Sequence, residues 1–317
     1  MRVLVTGAGG FVGRWLVPRL LADGHDLIGT RLPGEAPPAF LPEPDRRRVR
    51  WIPLDLRDTA SVRAAVADRL EAVIHLAAFA SGAEARRDPG AAWEVNAAGT
   101  ARLADALGAL RAAGDADPLL LLVSTAEVYG CASEPRLRTE DDPPAPCSPY
   151  AASKLGAEVA ALEVARRTGL RVIVARAFPH TGPGQTDRYV VPAFARRLKA
   201  AKRIGAPVVK TGNLEPVRDF LDVRDVADAY ARLLQHGTPG TVYNIARGEG
   251  RSLRDIFLRL AELIGVKAIA EVDPLLTRPS DIAHLVGDAT RLRAATGWMP
   301  RIPLDQTLQD LVNAQTD

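Results

Sequence analysis

Apolar and polar positions fall into two alternating rhythms through the first half of the chain. Short apolar runs occur at Arg2-Val3-Leu4-Val5-Thr6, His25 to Thr30, Val49 to Leu54, Ala72-Val73-Ile74-His75, Leu119 to Ser124 and Arg171 to Arg176. They are β-branched or wholly apolar, the pattern of strands buried on both faces of a parallel sheet. Between them lie stretches with helical spacing, from about Val12 to Ala22, Thr59 to Leu70, Ala91 to Ala113 and Tyr150 to Arg167. Pro18 inside the first of these removes one helical hydrogen bond and predicts a kink. Leu32 to Asp45 is Pro-rich, has no periodicity and reads as a loop. Strands alternating with helices predict an α/β fold with a Rossmann-like, doubly wound parallel sheet. After Phe178 the rhythm breaks at Pro179, Gly182, Pro183 and Gly184, and the remainder mixes short strands with helices such as Leu253 to Ile264 and Leu304 to Val312. The expected division is a sheet domain over 1–177, to which 218–240 returns, and a smaller mixed α/β lobe over 178–217 and 241–317.

Composition changes this picture little. The 317 residues carry a net charge of +3, with 47% hydrophobic and 25% charged residues, ordinary for a globular protein. Basic residues are spread along the chain, and the one dense run, Arg46-Arg47-Arg48, falls in the Pro-rich loop, which argues against a nucleic-acid-binding face. The two cysteines, Cys131 and Cys147, form no C-x-x-C pair and no cluster with histidine. They read as small part-buried residues near a loop, and no metal site is expected. The chain opens directly on a strand, and no apolar run approaches the length of a membrane span, so a cytoplasmic protein is the default expectation.

Two local patterns carry chemistry. Gly7-Ala8-Gly9-Gly10-Phe11-Val12-Gly13 follows the first strand and opens the first helix. In that context the glycines at 7, 10 and 13 allow a tight turn, backbone contact with a pyrophosphate, and close helix–strand packing, while helix N–H groups face the phosphates. The second strand ends at Gly29-Thr30-Arg31. An acidic residue there would hold ribose hydroxyls; a guanidinium suits a 2′-phosphate, so Arg31 points to NADP(H), with NAD(H) the alternative if Arg31 is an ordinary loop residue. The second pattern is Tyr150-Ala151-Ala152-Ser153-Lys154, a phenol and an ammonium one helical turn apart. A nearby ammonium favours phenolate and is expected to draw the Tyr150 pKa toward neutrality, where it could exchange protons.

These patterns occur with Asp55, His75-Leu76-Ala77-Ala78, Asn96, Ser124-Thr125-Ala126-Glu127-Val128-Tyr129-Gly130 and Ser148-Pro149-Tyr150. As a set they resemble the extended short-chain dehydrogenase/reductase family of nucleotide-sugar epimerases, dehydratases and reductases. The resemblance covers essentially the whole chain. It implies that a dinucleotide lies against Gly7, Gly10, Phe11, Val12 and Gly13, with Asp55 and Leu56 flanking the adenine and Ala77 and Ala78 lining its path. Asn96 would support the site, and Phe178 and His180 would close it. It implies Tyr150 as the acid/base, Lys154 on the nicotinamide ribose and Thr125 on the reacting sugar oxygen. Read from the residues alone, Thr125 is equally a strand-end hydroxyl capping a turn.

Further on, Gly212-Asn213-Leu214-Glu215-Pro216-Val217-Arg218-Asp219 and Leu276-Thr277-Arg278-Pro279-Ser280-Asp281 look like the GDP-sugar branch of that family. Asn213, Arg218 and Arg278 would then hold the substrate, the two guanidiniums on its diphosphate; alternatively they pair with Asp219 and Asp281. The implied activity is NADPH-dependent reduction of the 4-keto group of a GDP-4-keto-6-deoxyhexose. Thr125-Ala126-Glu127 also matches the dehydratase pattern, in which Glu127 helps remove a C5 proton, so 4,6-dehydration of a GDP-hexose is the alternative. A non-catalytic NADP-binding regulator is the alternative of another class. Pro179 stands where relatives often carry Asn, which removes a hydrogen-bonding side chain beside His180. A homodimer through the Ala92–Leu110 and Tyr150–Arg167 helices is the usual assembly of such enzymes.

Overall fold

The structure, a computed structural model, describes residues 1–131, 134–277 and 282–315. Its centre is a sheet of seven parallel strands: β1 (Arg2–Thr6), β2 (Asp26–Arg31), β3 (Val49–Pro53), β4 (Ala72–His75), β5 (Leu119–Thr125), β6 (Arg171–Ala177) and β7 (Val242–Ile245). They lie side by side as β7-β6-β5-β4-β1-β2-β3, every pair parallel. The strand order reverses between β1 and β4, so the crevice at their carboxyl ends is where a sheet of this kind takes ligands.

The principal helices are α1 (Gly13–Ala22), α2 (Gly99–Ala113), α3 (Pro149–Thr168), α4 (Val190–Ile204), α5 (Val223–His236) and α6 (Leu253–Ile264). Both faces of the sheet are covered, which is why its strands are apolar at successive positions. Val3 and Val5 of β1 pack with Leu16 and Leu20 of α1 and with Val226 and Leu233 of α5. Leu4, between them, packs on the other side with Leu103 and Leu107 of α2 and Ala157 and Ala161 of α3. A third core binds the smaller lobe, where α4, α6 and the helix Leu304–Ala314 meet through Leu198, Leu260 and Leu308. Phe194 and Phe257 meet edge to face there, 5.5 Å between ring centres.

A second sheet of four short strands joins the lobes: Gly250–Ser252, Val217–Asp219, His284–Gly287 and Leu137–Arg138, in that order. Its last strand comes from the sheet-domain half of the sequence, and β7 comes from the half assigned to the smaller lobe. The chain therefore crosses between the lobes at 137–138 and again at 242–245, more often than the sequence reading anticipated.

Other differences are local. Arg46-Arg47-Arg48 does not lie in a loop; it ends a short helix, Glu43–Arg48. Glu43 pairs with Arg46 and Arg47, and the acidic first turn and basic last turn suit the helix dipole. The helix from Thr59 stops at Ala65, and Gly82–Arg87 adds a short helix that no periodicity announced. The expected single helix over Ala91–Ala113 is Pro89–Trp93, then a π-helical turn at Glu94–Ala98, then α2. Cys131 and Cys147 are not separate part-buried residues but a disulfide, Cα atoms 6.1 Å apart. They lie at the two ends of an excursion whose ends come back together, with Ala145 N–H donating to Val128 C=O at 2.9 Å.

Candidate active site

A cavity of about 980 Å³ opens at the carboxyl ends of the sheet and runs beneath the smaller lobe. Its floor at one end is the glycine turn. Gly7 has φ +67°, and a Cβ there would lie 2.8 Å from Ala77 N; a Cβ on Gly13 would lie 2.2 Å from Ala8 C=O. Side chains would fill this cradle, so its glycines fit the close approach of a dinucleotide. Phe11 and Val12 line it, as do Ala77 and Ala78 opposite. Arg31 closes the end beyond β2. One of its Nη atoms donates to Glu35 C=O at 2.5 Å, and its Nε has no partner among the described residues.

Asp55, Leu56 and Asn96 do not line the cavity; Leu54 does. The Asp55 carboxylate is clasped by the Arg57 guanidinium at 2.7–3.2 Å, which holds its pKa down at about 2. Leu56 is buried against Gly99 of α2. Asn96 instead braces the site from behind. Its side chain accepts from Phe79 N–H at 2.7 Å and donates to Phe79 C=O at 3.2 Å and to Ser153 Oγ at 2.9 Å, and Ser153 donates to Tyr150 C=O at 2.8 Å.

His75 extends this brace. Thr100 Oγ1 donates to Asn96 C=O at 2.6 Å, so it must accept from His75 Nε2, 3.1 Å away. The other ring nitrogen then accepts from Thr6 Oγ1 at 2.7 Å, which itself accepts from Ala77 N–H at 3.1 Å. Burial lowers the His75 pKa to about 3, so the imidazole is neutral and the tautomer follows from the network. A directed chain of hydrogen bonds thus runs from the glycine cradle to the Tyr150 helix.

That helix, α3, starts where Ser148 accepts from Ala151 N–H at 3.1 Å and Pro149 takes the first helical position. Tyr150 and Lys154 both face the cavity. Burial raises the Tyr150 pKa, the Glu127 carboxylate and the Tyr189 phenol raise it further, and a hydrogen bond with Thr125 opposes them. The expected depression by Lys154 is absent. The ammonium, 4% exposed, donates to Val123 C=O at 2.5 Å, and burial lowers its pKa to about 8 against the opposing pull of Glu158. Thr125 ends β5 and caps a turn: it accepts from Glu127 N–H at 3.2 Å at the start of the short helix Ala126–Tyr129, and it lines the cavity with Tyr150.

The far wall belongs to the smaller lobe. Phe178 and His180 line the cavity beside the glycine turn, with the His180 ring stacked parallel to Phe11 at 6.2 Å and its Nδ1–H donating to Phe178 C=O at 3.0 Å. Asn213 and Arg218 line it further out. Arg278 lies outside the described residues. Asp219 is not the partner expected for Arg218: fully buried, it accepts from the backbone N–H groups of Arg247, Gly248 and Gly287 at 2.8–3.3 Å. Burial pushes its carboxyl up to about 6 despite those donors.

The profile of the NAD dependent epimerase/dehydratase family matches residues 3–246. This chain belongs to that family. It is 36% identical to GDP-6-deoxy-D-mannose reductase from Pseudomonas aeruginosa over 98% of this chain and 96% of the relative. Among solved structures it is similar to RMD from Pseudomonas aeruginosa complexed with NADPH, at 34% identity and TM-score 0.81 over 99% of this chain and 98% of that one. It is similar to UDP-glucose 4-epimerase from Thermus thermophilus complexed with NAD, at 32% identity and TM-score 0.85 over the same shares. The family is one of NAD(P)-dependent enzymes that modify nucleotide sugars, and the fold is that of its epimerase structures. No helix among the described residues is long and apolar enough to cross a membrane.

The cavity of this family member also holds residues that sequence reasoning did not single out. Phe40 and Glu35 line it from the Pro-rich segment after β2, Tyr189 from the N-cap of α4 and Arg197 from its middle. Tyr230 of α5 lines it too, fully buried, with a hydroxyl that has no partner among the described residues. None follows a motif; an aromatic residue in a loop or on a helix face reads as core, and a charged one such as Glu35 or Arg197 as a solvated surface, until the fold turns it toward the cavity.

Proposed function

We propose that this protein reduces the 4-keto group of a GDP-linked 4-keto-6-deoxyhexose to the alcohol, with NADPH as reductant. The observation that carries the reading is that Thr125, Tyr150 and buried Lys154 line one cavity between the glycine cradle and Arg218. The 36% identity to GDP-6-deoxy-D-mannose reductase supports the choice of sugar nucleotide. When bound against the glycine turn, the nicotinamide cofactor supplies the hydride. Tyr150, kept protonated by burial, donates its proton to O4 as that oxygen gains charge. Thr125 holds the same oxygen, and Lys154 offers its ammonium to the ribose hydroxyls. Arg218 offers a guanidinium to the diphosphate, and Arg31, with an Nε lacking a partner among the described residues, offers donors to a 2′-phosphate. These residues orient the reactants and exclude water, which is where a cofactor enzyme contributes most.

Glu127 favours a second reading. Its side chain lines the cavity near Tyr150, whose pKa its charge raises, and a carboxylate facing the cavity is the kind of base that proton removal during 4,6-dehydration requires. One experiment separates the two. Purified protein is given GDP-4-keto-6-deoxymannose with NADPH, or GDP-mannose alone. Loss of absorbance at 340 nm in the first mixture supports reduction; a 4-keto product only in the second overturns it in favour of dehydration.

The same reading includes a homodimer. The groove between α2 and α3 carries Trp93 and Val159 at 46% and 61% exposure, and a second copy of these helices would cover both. Light scattering giving a monomer mass at micromolar concentration removes this part of the proposal.

A further inference from the structure

The chain's two cysteines meet at a sensitive place. Cys131 follows the short helix Ala126–Tyr129 that carries Glu127, and Cys147 precedes Ser148, the cap of the helix that carries Tyr150. The two segments are pressed together backbone to backbone. Gly130 has φ +73°, and a Cβ on it would fall on Ala145 C=O. Gly130 N–H donates to Glu127 C=O at 3.1 Å, and Ala145 N–H to Val128 C=O at 2.9 Å. Between the cysteines the chain leaves to place Leu137–Arg138 at the edge of the second sheet, beside His284–Gly287. The disulfide therefore closes the neck of an excursion that links the smaller lobe to the acid/base residues. Cys131 is exposed while Cys147 is partly buried, so one sulfur is open to attack.

We infer that Cys131–Cys147 is a thiol–disulfide modification site that sets the placement of Glu127 and Thr125 against Tyr150, and hence turnover. Opening it takes an external dithiol. A thiolate of that reagent attacks Sγ of Cys131, the S–S bond breaks, and Cys147 leaves as a thiolate that takes up a proton. The reagent's second thiol displaces Cys131, which is also protonated; the protein gains two electrons and two protons and the dithiol becomes a disulfide. A low-molecular-weight disulfide reverses the exchange. The closed form ties the neck covalently; the reduced form leaves it to non-covalent contacts, among them the two backbone hydrogen bonds and the packing of Cys147 on the core. Gly7 to Gly13, which would hold the dinucleotide's pyrophosphate, lie elsewhere in the cavity, and Lys154 is tied to β5 through Val123 C=O, so the change in cofactor affinity is expected to be small.

The turnover arm of this inference rests on the activity proposed above; a structural arm does not. Wild-type protein is prepared oxidised with glutathione disulfide and reduced with dithiothreitol, and thiols are counted by alkylation and mass spectrometry. Expected are no free thiols in the first and two in the second, with kcat at least threefold lower after reduction and the NADPH Kd within twofold. C131S and C147S should each match the reduced enzyme and ignore dithiothreitol. Hydrogen exchange is read in parallel: amides of 126–131 and 145–150 should exchange at least tenfold faster after reduction. If neither form turns over the ketosugar, the activity assignment fails, and the exchange contrast alone decides this inference. Two alkylated thiols before reduction, equal exchange in both forms, or unchanged kcat in a turning-over enzyme overturns it.

Discussion

Lys154 reaches from the second turn of α3 to the carbonyl of Val123, 2.5 Å away, and so ties the helix that carries Tyr150 to the end of β5. The ammonium is thus committed to the strand, not to the phenol, and the proton on Tyr150 is held by burial. Replacing Tyr150 with Phe removes the phenolic donor and keeps the ring. The rate should fall by about 10²–10⁴-fold, the usual contribution of a positioned acid. The NADPH Kd, read by fluorescence titration, should stay within about twofold, since this change removes acid–base chemistry and not binding.

The pH dependence of Lys154 has a definite sign. Burial lowers its pKa from 10.5 to about 8, so the charged form is disfavoured in the folded protein. The ammonium is lost as pH rises through about 8, and kcat/KM, which reports the free enzyme, should fall on a limb centred there. Stability moves the other way. The unfolded chain keeps this proton up to 10.5, so the Lys154 contribution improves as pH rises from about 8 to 10.5. K154R should remove the limb, because guanidinium stays charged, while losing rate because a planar fork does not fit the place of a compact ammonium. A limb unchanged in K154R assigns it to another group. Lys154 is the first lysine of an arginine-rich chain, the next being Lys199.

At Gly13 a methyl group would overlap Ala8 C=O at 2.2 Å, and both atoms belong to backbone that cannot swing aside. Gly13→Ala must push α1 off β1. The expected cost is about 1–3 kcal/mol of stability, typical of overpacking. NADPH affinity should fall at least tenfold because the helix N–H groups move with it. Denaturant titration and fluorescence read the two effects separately.

Arg31→Ala should separate the two cofactors. The loss of a guanidinium aimed at a 2′-phosphate should weaken NADPH by about tenfold or more, the scale of one charge-assisted contact. NADH should be little affected. Equal weakening of both by isothermal titration would assign Arg31 a structural role in the turn to Glu35.

Glu158 and Arg176 form an ion pair at 2.8 Å, with side chains 3% and 6% exposed, and Ser124 Oγ donates to the same carboxylate at 2.5 Å. Glu158→Ala leaves the guanidinium buried over the Tyr129 ring without its carboxylate. Breaking one side of such a pair costs about 3–5 kcal/mol. The melting temperature should drop by many degrees in calorimetry, and Glu158→Gln, which keeps an acceptor, should recover part of the loss.

Particular residues show where the sequence was readable. Gly7, Gly13, Tyr150 and the six strands through Ala177 announce themselves because apolar runs, glycine spacing and helix caps are local signals. Tyr230 and Tyr189 do not, since only the fold brings α5 and α4 to the cavity. Lys154 departs from the expected pairing with Tyr150 for a related reason: spacing along a helix places two side chains on one face but says nothing of a strand carbonyl within reach of one of them. Asp219 went the same way, its carboxylate taken by three amides from segments distant in sequence. The cysteines looked inert because their partnership depends on a neck closed by Gly130 and Ala145.

The π-helical turn at Glu94–Ala98 holds one residue more than an α-helical turn would. A helix advances about 100° per residue, so deleting Ala97 or Ala98 would restore a regular helix and rotate Asn96 by that angle against α2. Its amide would leave both Phe79 and Ser153. This stretch therefore tolerates changes of residue type more readily than changes of length, and a one-residue gap within it would mark a chain whose brace behind the active site has been dismantled.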